Sequence, residues 1–151
     1  MMSIWVPPQR VRAVVIGALR RGNEILAMEL VDRLQYQVVG YRPPGGEIDF
    51  GERSDVALAR ELAEELNQEV VVGETLAILE NHYTLNGGRG HELVVVRAAQ
   101  FCDQKAYEID EFVIHEPADD GGEFIDRAVW VTPLKVGVPP IMPLGISELL
   151  I

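Results

Sequence analysis

Cysteine is almost missing from this chain. Cys102 stands alone among 151 residues, so no intrachain disulfide can form, and a reducing, cytoplasmic setting is the expectation. Positive charge is also scarce: 13 Lys and Arg stand against 24 Asp and Glu, a formal net charge of −11. Wrapping a nucleic-acid backbone requires cations that displace counterions, so a polymeric nucleic acid is not the expected partner. A small phosphorylated ligand stays compatible with such a chain, because a bound metal can supply the missing charge. Long apolar runs are lacking too. The opening MMSIWVPPQR has neither a basic leader nor an extended hydrophobic stretch, so neither a signal peptide nor a membrane partner is expected. No fixed-period repeat or low-complexity tract is visible. What is present, 48% hydrophobic content over 151 residues, suits a single domain over residues 1–151 with one core.

Val11 to Leu19, VRAVVIGAL, reads as a strand buried on both faces. Arg20-Arg21-Gly22-Asn23 turns the chain, Glu24 to Leu30 returns it, and Tyr36 to Gly40 adds a short third segment. Glu69 to Glu80 supplies strand material broken at Gly73. His82–Leu85 and His91–Ala98 form a hairpin pair around the turn cluster Asn86-Gly87-Gly88-Arg89-Gly90. Residues 103 to 126 are polar and acidic and predict a long loop, of the kind that often serves as a lid. Ala128–Val131 restores a strand, and Gly145–Ile151 has room for only a short helix. These elements fit a mixed sheet with helices on its faces, an α/β sandwich.

The informative stretch is YRPPGGEIDFGERSDVALARELAEELNQ, Tyr41 to Gln68. Pro43-Pro44-Gly45-Gly46 cannot be helix interior, because the prolines lack N–H donors and the glycines admit φ > 0. A helix follows, predicted to be capped by Ser54 with Asp55 in its first turn. At roughly 100° per residue, Val56, Leu58, Ala59, Leu62, Ala63 and Leu66 share one arc. Arg60, Glu61, Glu64 and Glu65 fill the opposite arc, so three carboxylates crowd one side. A solvated charged face is the bland explanation. The company of Glu52, an arginine and a Gly-Gly segment favours a hard cation among the acids, and Mg²⁺ or Mn²⁺ takes oxygen ligands of this kind.

Gly46, five residues to Glu52, and seven more to Arg60-Glu61-Leu62-Ala63-Glu64-Glu65 resemble the signature of the Nudix hydrolases, G-x5-E-x7-R-E-U-x-E-E-x-G-U. The departures are Asn67 in place of glycine and Gln68 in place of an aliphatic residue. Asn67 is a mild change at a helix end, since asparagine tolerates the left-handed conformation. The resemblance implies a Nudix-like α/β/α sandwich with a mixed central sheet. It implies metal ligation by Glu61, Glu64, Glu65 and the Gly45 carbonyl, with one glutamate of the set acting as base. Arg60 would hold the glutamates, and Glu52 would serve as an indirect metal ligand or as a partner of Arg60. The implied activity is metal-dependent hydrolysis of a nucleoside diphosphate joined to another group, such as a nucleoside triphosphate or ADP-ribose. The alternative is a Nudix module that binds a nucleotide without cleaving it.

Other side chains are open to two readings. Arg10, Arg12 and Arg42 can meet phosphate or merely balance charge. Glu47 and Asp49 can face the site or solvent. His91 and Glu92 point to opposite sides of a strand, so one of them is expected at the cleft. Trp5 can stack on a base or pack at a homodimer contact. Asp119, Asp120 and Glu123 are candidates for an extra carboxylate from the acidic loop, with Gly121 and Gly122 allowing it to close.

Overall fold

The computed structural model describes residues 4–117, 121–135 and 137–150. Two sheets are built around the strand read as doubly buried, β1 (Val11–Ala18). Val14, Ile16 and Ala18 face one apolar cluster and Val15 faces the other, so β1 is the wall between two cores.

β1 runs parallel to β7 (Gly88–Phe101) and antiparallel to the short β5 (Gly45–Glu47), while β7 pairs antiparallel with β6 (Val70–Leu85). The order of this mixed sheet is β5-β1-β7-β6. A second, antiparallel sheet runs β2-β3-β9-β8, made of β2 (Arg20–Arg21), β3 (Glu24–Asp32), β9 (Glu123–Val131) and β8 (Glu111–Pro117). The strand β4 (Gln37–Arg42) pairs with the other side of β3. Between the sheets sits α1 (Ser54–Leu66), whose Ala57, Leu58, Leu62 and Leu66 join Val15, Phe101, Phe112, Ile114 and Ala128 in one core. Leu58 and Leu62 are fully buried, each worth about 1.5–3 kcal/mol of hydrophobic stabilisation. The second core is closed by Ile141, Ile146 and Leu150, the last two from or beside the four-residue α2 (Ile146–Leu149).

Several expectations are corrected here. The residues 103–126 do not form a long loop: a 3₁₀ turn over Gln104–Glu108 leads into β8, and β8 pairs with β9 from Glu111↔Val129 to Pro117↔Glu123. Phe112 and Ile114 alternate into the core, and two inward apolar side chains outweighed the polar composition around them. Asp119 and Asp120 lie outside the described residues. Gly45 and Gly46 are not a free loop but an edge strand in register with Ile16 and Val15. The hairpin turn is tighter than the glycine cluster suggested. Only Asn86 (φ 51°) and Gly87 (φ 81°) form it, a two-residue turn with both centres at positive φ, and Gly88–Gly90 already belong to β7. β6 passes through Gly73 unbroken, with register shifts on either side of Thr75.

The helix differs in detail as well. Arg53 is the N-cap, with no side-chain cap bond, while the Ser54 hydroxyl accepts from Arg97 Nη1 at 3.0 Å. Val56 and Ala63, expected in the apolar arc, are exposed; the buried arc runs through Ala57, Leu58, Leu62 and Leu66. At the other end the expectation holds: Asn67 is left-handed at φ 53°, ψ 41°, and its N–H reaches Ala63 O at 3.1 Å.

Candidate active site

A cleft of about 340 Å³ opens between the two sheets along the acidic side of α1. Gly45, Gly46 and Glu47 of β5 form one wall, with Glu61 and Glu65 of α1 beside them. Glu116 of β8 and Phe124 and Asp126 of β9 close the far side. Arg12, Arg42 and Trp5 line its other end.

Arg60 organises the α1 face. Its guanidinium grips Glu52 in a bidentate pair (Nε–Oε2 2.8 Å, Nη2–Oε1 2.9 Å) and donates to Glu61 Oε1 at 3.0 Å and to the Glu47 carbonyl at 3.2 Å. It also stands 3.5 Å from Glu64 Oε1 and 3.5 Å from Asp49 Oδ2. Glu52 accepts the Asp49 N–H at 3.1 Å as well. Donation from Arg60, with the Asp49 amide second, holds the Glu52 carboxyl down to about 2 and raises Arg60 further above its ordinary range. One arginine thus ties the loop between β5 and α1 to the helix and orients Glu61. Asp49 is otherwise exposed.

Gly46 explains how close that orientation brings the strand. A Cβ built on Gly46 would overlap the Glu61 carboxylate, and one built on Gly45 would overlap the Val15 carbonyl, with Ile16 Cα at 2.8 Å. The two glycines therefore answer to different constraints: Gly45 to backbone, Gly46 to an acidic side chain.

Charge in the cleft is poorly compensated. Burial raises Glu61 above the usual carboxylate range, with Arg60 opposing. Burial, and then the neighbouring Glu61 and Glu116, push Glu65 up to about 9. Glu116 is raised by burial and by Asp126 and Glu61. Glu65 Oε2 is sealed from solvent and has no hydrogen-bond partner. Such an orphan costs about 1–3 kcal/mol or more, and a positive ion is the direct remedy. Among the described residues, no three acidic, imidazole or thiol side chains are placed close enough together to hold a metal ion as they stand. The donor set nevertheless suits a hard divalent cation: carboxylate oxygens from Glu61 and Glu65, the nearby Glu116, and an all-oxygen environment. Glu64, 59% exposed on the same side of α1, is the most open member.

The remaining sequence candidates separate cleanly. Arg12 and Arg42 line the cleft, whereas Arg10 lies outside it, 57% exposed, and donates to Glu47 at 2.8 Å. Glu47 also meets Arg12 Nε at 3.4 Å, and its carboxyl is lowered chiefly by the bond from Arg10. Glu92, expected as a substrate contact, is fully buried behind the wall. Its oxygens take Arg12 Nη1 at 3.1 Å, Arg42 Nη1 and Tyr83 OH at 3.5 Å, and Asn81 Nδ2 at 3.2 Å. Glu92 is thus sealed from solvent and binds both arginines. His91, on the opposite side of β7, packs against His82 with ring centroids 4.0 Å apart. Glu123 is not in the cleft either: it is exposed and pairs with His115 Nδ1 at 3.1 Å. Beside Trp5, a second, more apolar pocket of about 250 Å³ is lined by Leu30, Val39, Tyr83 and Met142.

Glu116, Asp126 and Arg33 were not singled out from sequence. Arg33 pairs with Asp126 at 2.8 Å and lies over the Phe124 ring at 5.4 Å. The missed signal was alternation: Phe112, Ile114 and Glu116 share one face of β8, and Phe124, Asp126, Ala128 and Trp130 share one face of β9.

A family model described as NUDIX domain matches residues 8–149. The fold resembles a MutT NUDIX hydrolase from Burkholderia pseudomallei (TM-score 0.61, 18% identity, 92% of this chain and 96% of that one). It also resembles an ADP-ribose pyrophosphatase from Streptococcus suis (TM-score 0.57, 15% identity, 92% and 86%). A UDP-X diphosphatase aligns with a TM-score of 0.58 at 17% identity, over 98% of this chain and 63% of that one. At such identities the structural likeness is one of fold. No curated protein matches the sequence significantly. The family model spans nearly the whole chain and includes the Gly46–Glu65 motif around which the cleft is built, and the protein belongs to the Nudix family of hydrolases.

Proposed function

We propose that the protein is a pyrophosphohydrolase that cleaves a nucleoside diphosphate linked to a second group, with Mg²⁺ or Mn²⁺ held by Glu61, Glu64, Glu65 and the Gly45 carbonyl. Glu116 is the distal carboxylate of the set. The observation that carries this reading is the buried, partnerless Glu65 Oε2 beside Glu61 and Glu116. When bound, the cation supplies charge neutralisation on the diphosphate and lowers the pKa of an attacking water.

The chain's own residues do the rest. Arg60, braced by Glu52, fixes Glu61 against Gly46. Arg12 and Arg42, held from behind by Glu92, face the cleft and neutralise phosphate oxygens. Glu64 is open to solvent and is the base in this reading, taking a proton from water as its oxygen bonds to phosphorus and the bridging P–O bond breaks. Trp5 and the apolar pocket beside it offer a surface for the ligand's planar or apolar portion. ADP-ribose and UDP-linked compounds are the substrate classes named for two of the fold relatives, and both have the required diphosphate.

The test is a hydrolysis screen of ADP-ribose, UDP-sugars and nucleoside triphosphates with Mg²⁺ and with Mn²⁺, products identified, repeated with Glu64→Gln. Metal-dependent cleavage at a diphosphate bond, lost by about 10²-fold or more in the variant with its melting temperature retained, is the expected result. Tight binding of a ligand with no turnover under either metal would instead assign a binding module.

A further inference from the structure

The side chain of Asn86 joins two segments that are distant in sequence and both line the cleft. Its Oδ1 accepts the Arg33 backbone N–H at 2.8 Å, and its Nδ2 donates to the Trp5 carbonyl at 2.9 Å. Arg33 opens the turn between β3 and β4, and its guanidinium lies over Phe124 and against Asp126 in the cleft. Trp5 belongs to the N-terminal strap, which lies on the β6–β7 hairpin so closely that a Cβ on Gly88 would overlap Val6 and meet Pro7 Cδ at 3.1 Å. Trp5 borders both the acidic cleft and the apolar pocket, and Arg12 sits 5.6 Å from its ring centroid. Asn86 itself is held in the left-handed conformation by the hairpin turn, which aims its amide outward from a rigid pair of strands.

We propose that Asn86 is a positioning residue for the ligand half remote from the metal end: one amide clasps the strap and the β3–β4 turn, setting the spacing between the Trp5 ring and the Arg33 guanidinium. No other side-chain hydrogen bond among those of the described residues links the strap to the hairpin tip. The amide is suited to the task because it is both donor and acceptor, and the two walls present one carbonyl and one N–H. The consequence is kinetic. Loosening the clasp weakens binding of the ligand's planar or polar outer portion and leaves the carboxylate end, built on α1 and β5, in place. The kinetic arm rests on the function proposed above, and the spectroscopic arm does not.

Asn86→Gly removes both bonds while glycine keeps the positive φ, so the turn survives. Asn86→Asp keeps the acceptor for Arg33 and loses the donor for Trp5. With ADP-ribose and Mg²⁺, Asn86→Gly is expected to raise KM by about tenfold or more with kcat within about threefold, and Asn86→Asp to do so less. Acrylamide quenching of tryptophan fluorescence reports the strap directly, because Trp130 is only 9% exposed and Trp5 is 44% exposed. Quenching should rise in both variants. Unchanged quenching in both, or a fall in kcat with KM unaltered, would overturn the proposal. If the parent hydrolyses no diphosphate substrate, the proposed function fails, and the quenching result still decides for or against the clasp.

Discussion

Adjacent glycines make the sharpest mutational contrast in this protein. Alanine at Gly45 would drive its Cβ into the Val15 carbonyl, with Ile16 Cα at 2.8 Å, and both belong to the central strand of the mixed sheet. Backbone in a strand buried on both faces cannot yield, so Gly45→Ala is expected to cost on the order of 3 kcal/mol or more, the upper end for overpacking. Alanine at Gly46 would instead have the Glu61 carboxylate, the far end of a flexible side chain, as its nearest neighbour. Glu61 can swing away at the expense of its 3.0 Å bond to Arg60, a cost of about 1–2 kcal/mol. The fold should therefore survive Gly46→Ala while the carboxylate is displaced from the metal end, and cation affinity should fall by about 100-fold or more. Urea denaturation in EDTA gives the stabilities, and Mn²⁺ titration gives the affinities. Equal destabilisation by the two variants, or parental Mn²⁺ affinity in Gly46→Ala, would refute the division of labour between the two glycines.

Three further outcomes are expected. Asn67→Gly should be neutral or stabilising and Asn67→Val should cost about 1 kcal/mol or more, read from chemical denaturation; equal stabilities would contradict the left-handed cap. Glu116→Gln should weaken Mg²⁺ dependence by about tenfold whereas Glu123→Gln should leave activity alone, since only the first lines the cleft; the reverse ranking would make Glu123 the distal acid. Glu65 binds its proton more tightly folded than unfolded, with a folded value of about 9 against an ordinary 4.5, so its contribution to metal-free stability is full below 4.5 and is lost as pH rises toward 9. A cation displaces that proton, so the rise in melting temperature on adding Mg²⁺ should grow between pH 6 and 9; a shift independent of pH, or one unaltered in Glu65→Gln, would contradict this.

The α1 end of the cleft was legible in the sequence because its parts are local. Gly46, Glu52, Arg60, Glu61, Glu64 and Glu65 span twenty residues, and one helix and one short strand bring them together. Helical spacing alone put the three acids on one side of α1. The other walls come from tertiary pairing, which composition disguises. Residues 103–126 were read as a loop because acids dominate them, yet two inward residues, Phe112 and Ile114, suffice to pin β8 and carry Glu116 inward with them. Strand alternation put one of His91 and Glu92 at the cleft, and Glu92 is the one that points inward. Alternation cannot distinguish a cleft wall from the layer behind it, where Arg12, Arg42, Tyr83 and Asn81 enclose its carboxylate. Asn86 read only as turn chemistry; that its amide also reaches Trp5 and Arg33 depends on two segments converging from 81 and 53 residues away.

The central claim is that the acidic side of α1 holds a divalent cation. Its most direct test is titration of the metal-free protein with Mn²⁺, following the free-ion electron paramagnetic resonance signal in the parent and in Glu65→Gln at constant pH. The account predicts saturable binding by the parent, competed by Mg²⁺, and a loss of about tenfold or more in affinity when the buried, partnerless carboxylate becomes an amide. Parental affinity in Glu65→Gln, or no saturable binding by the parent, would contradict it.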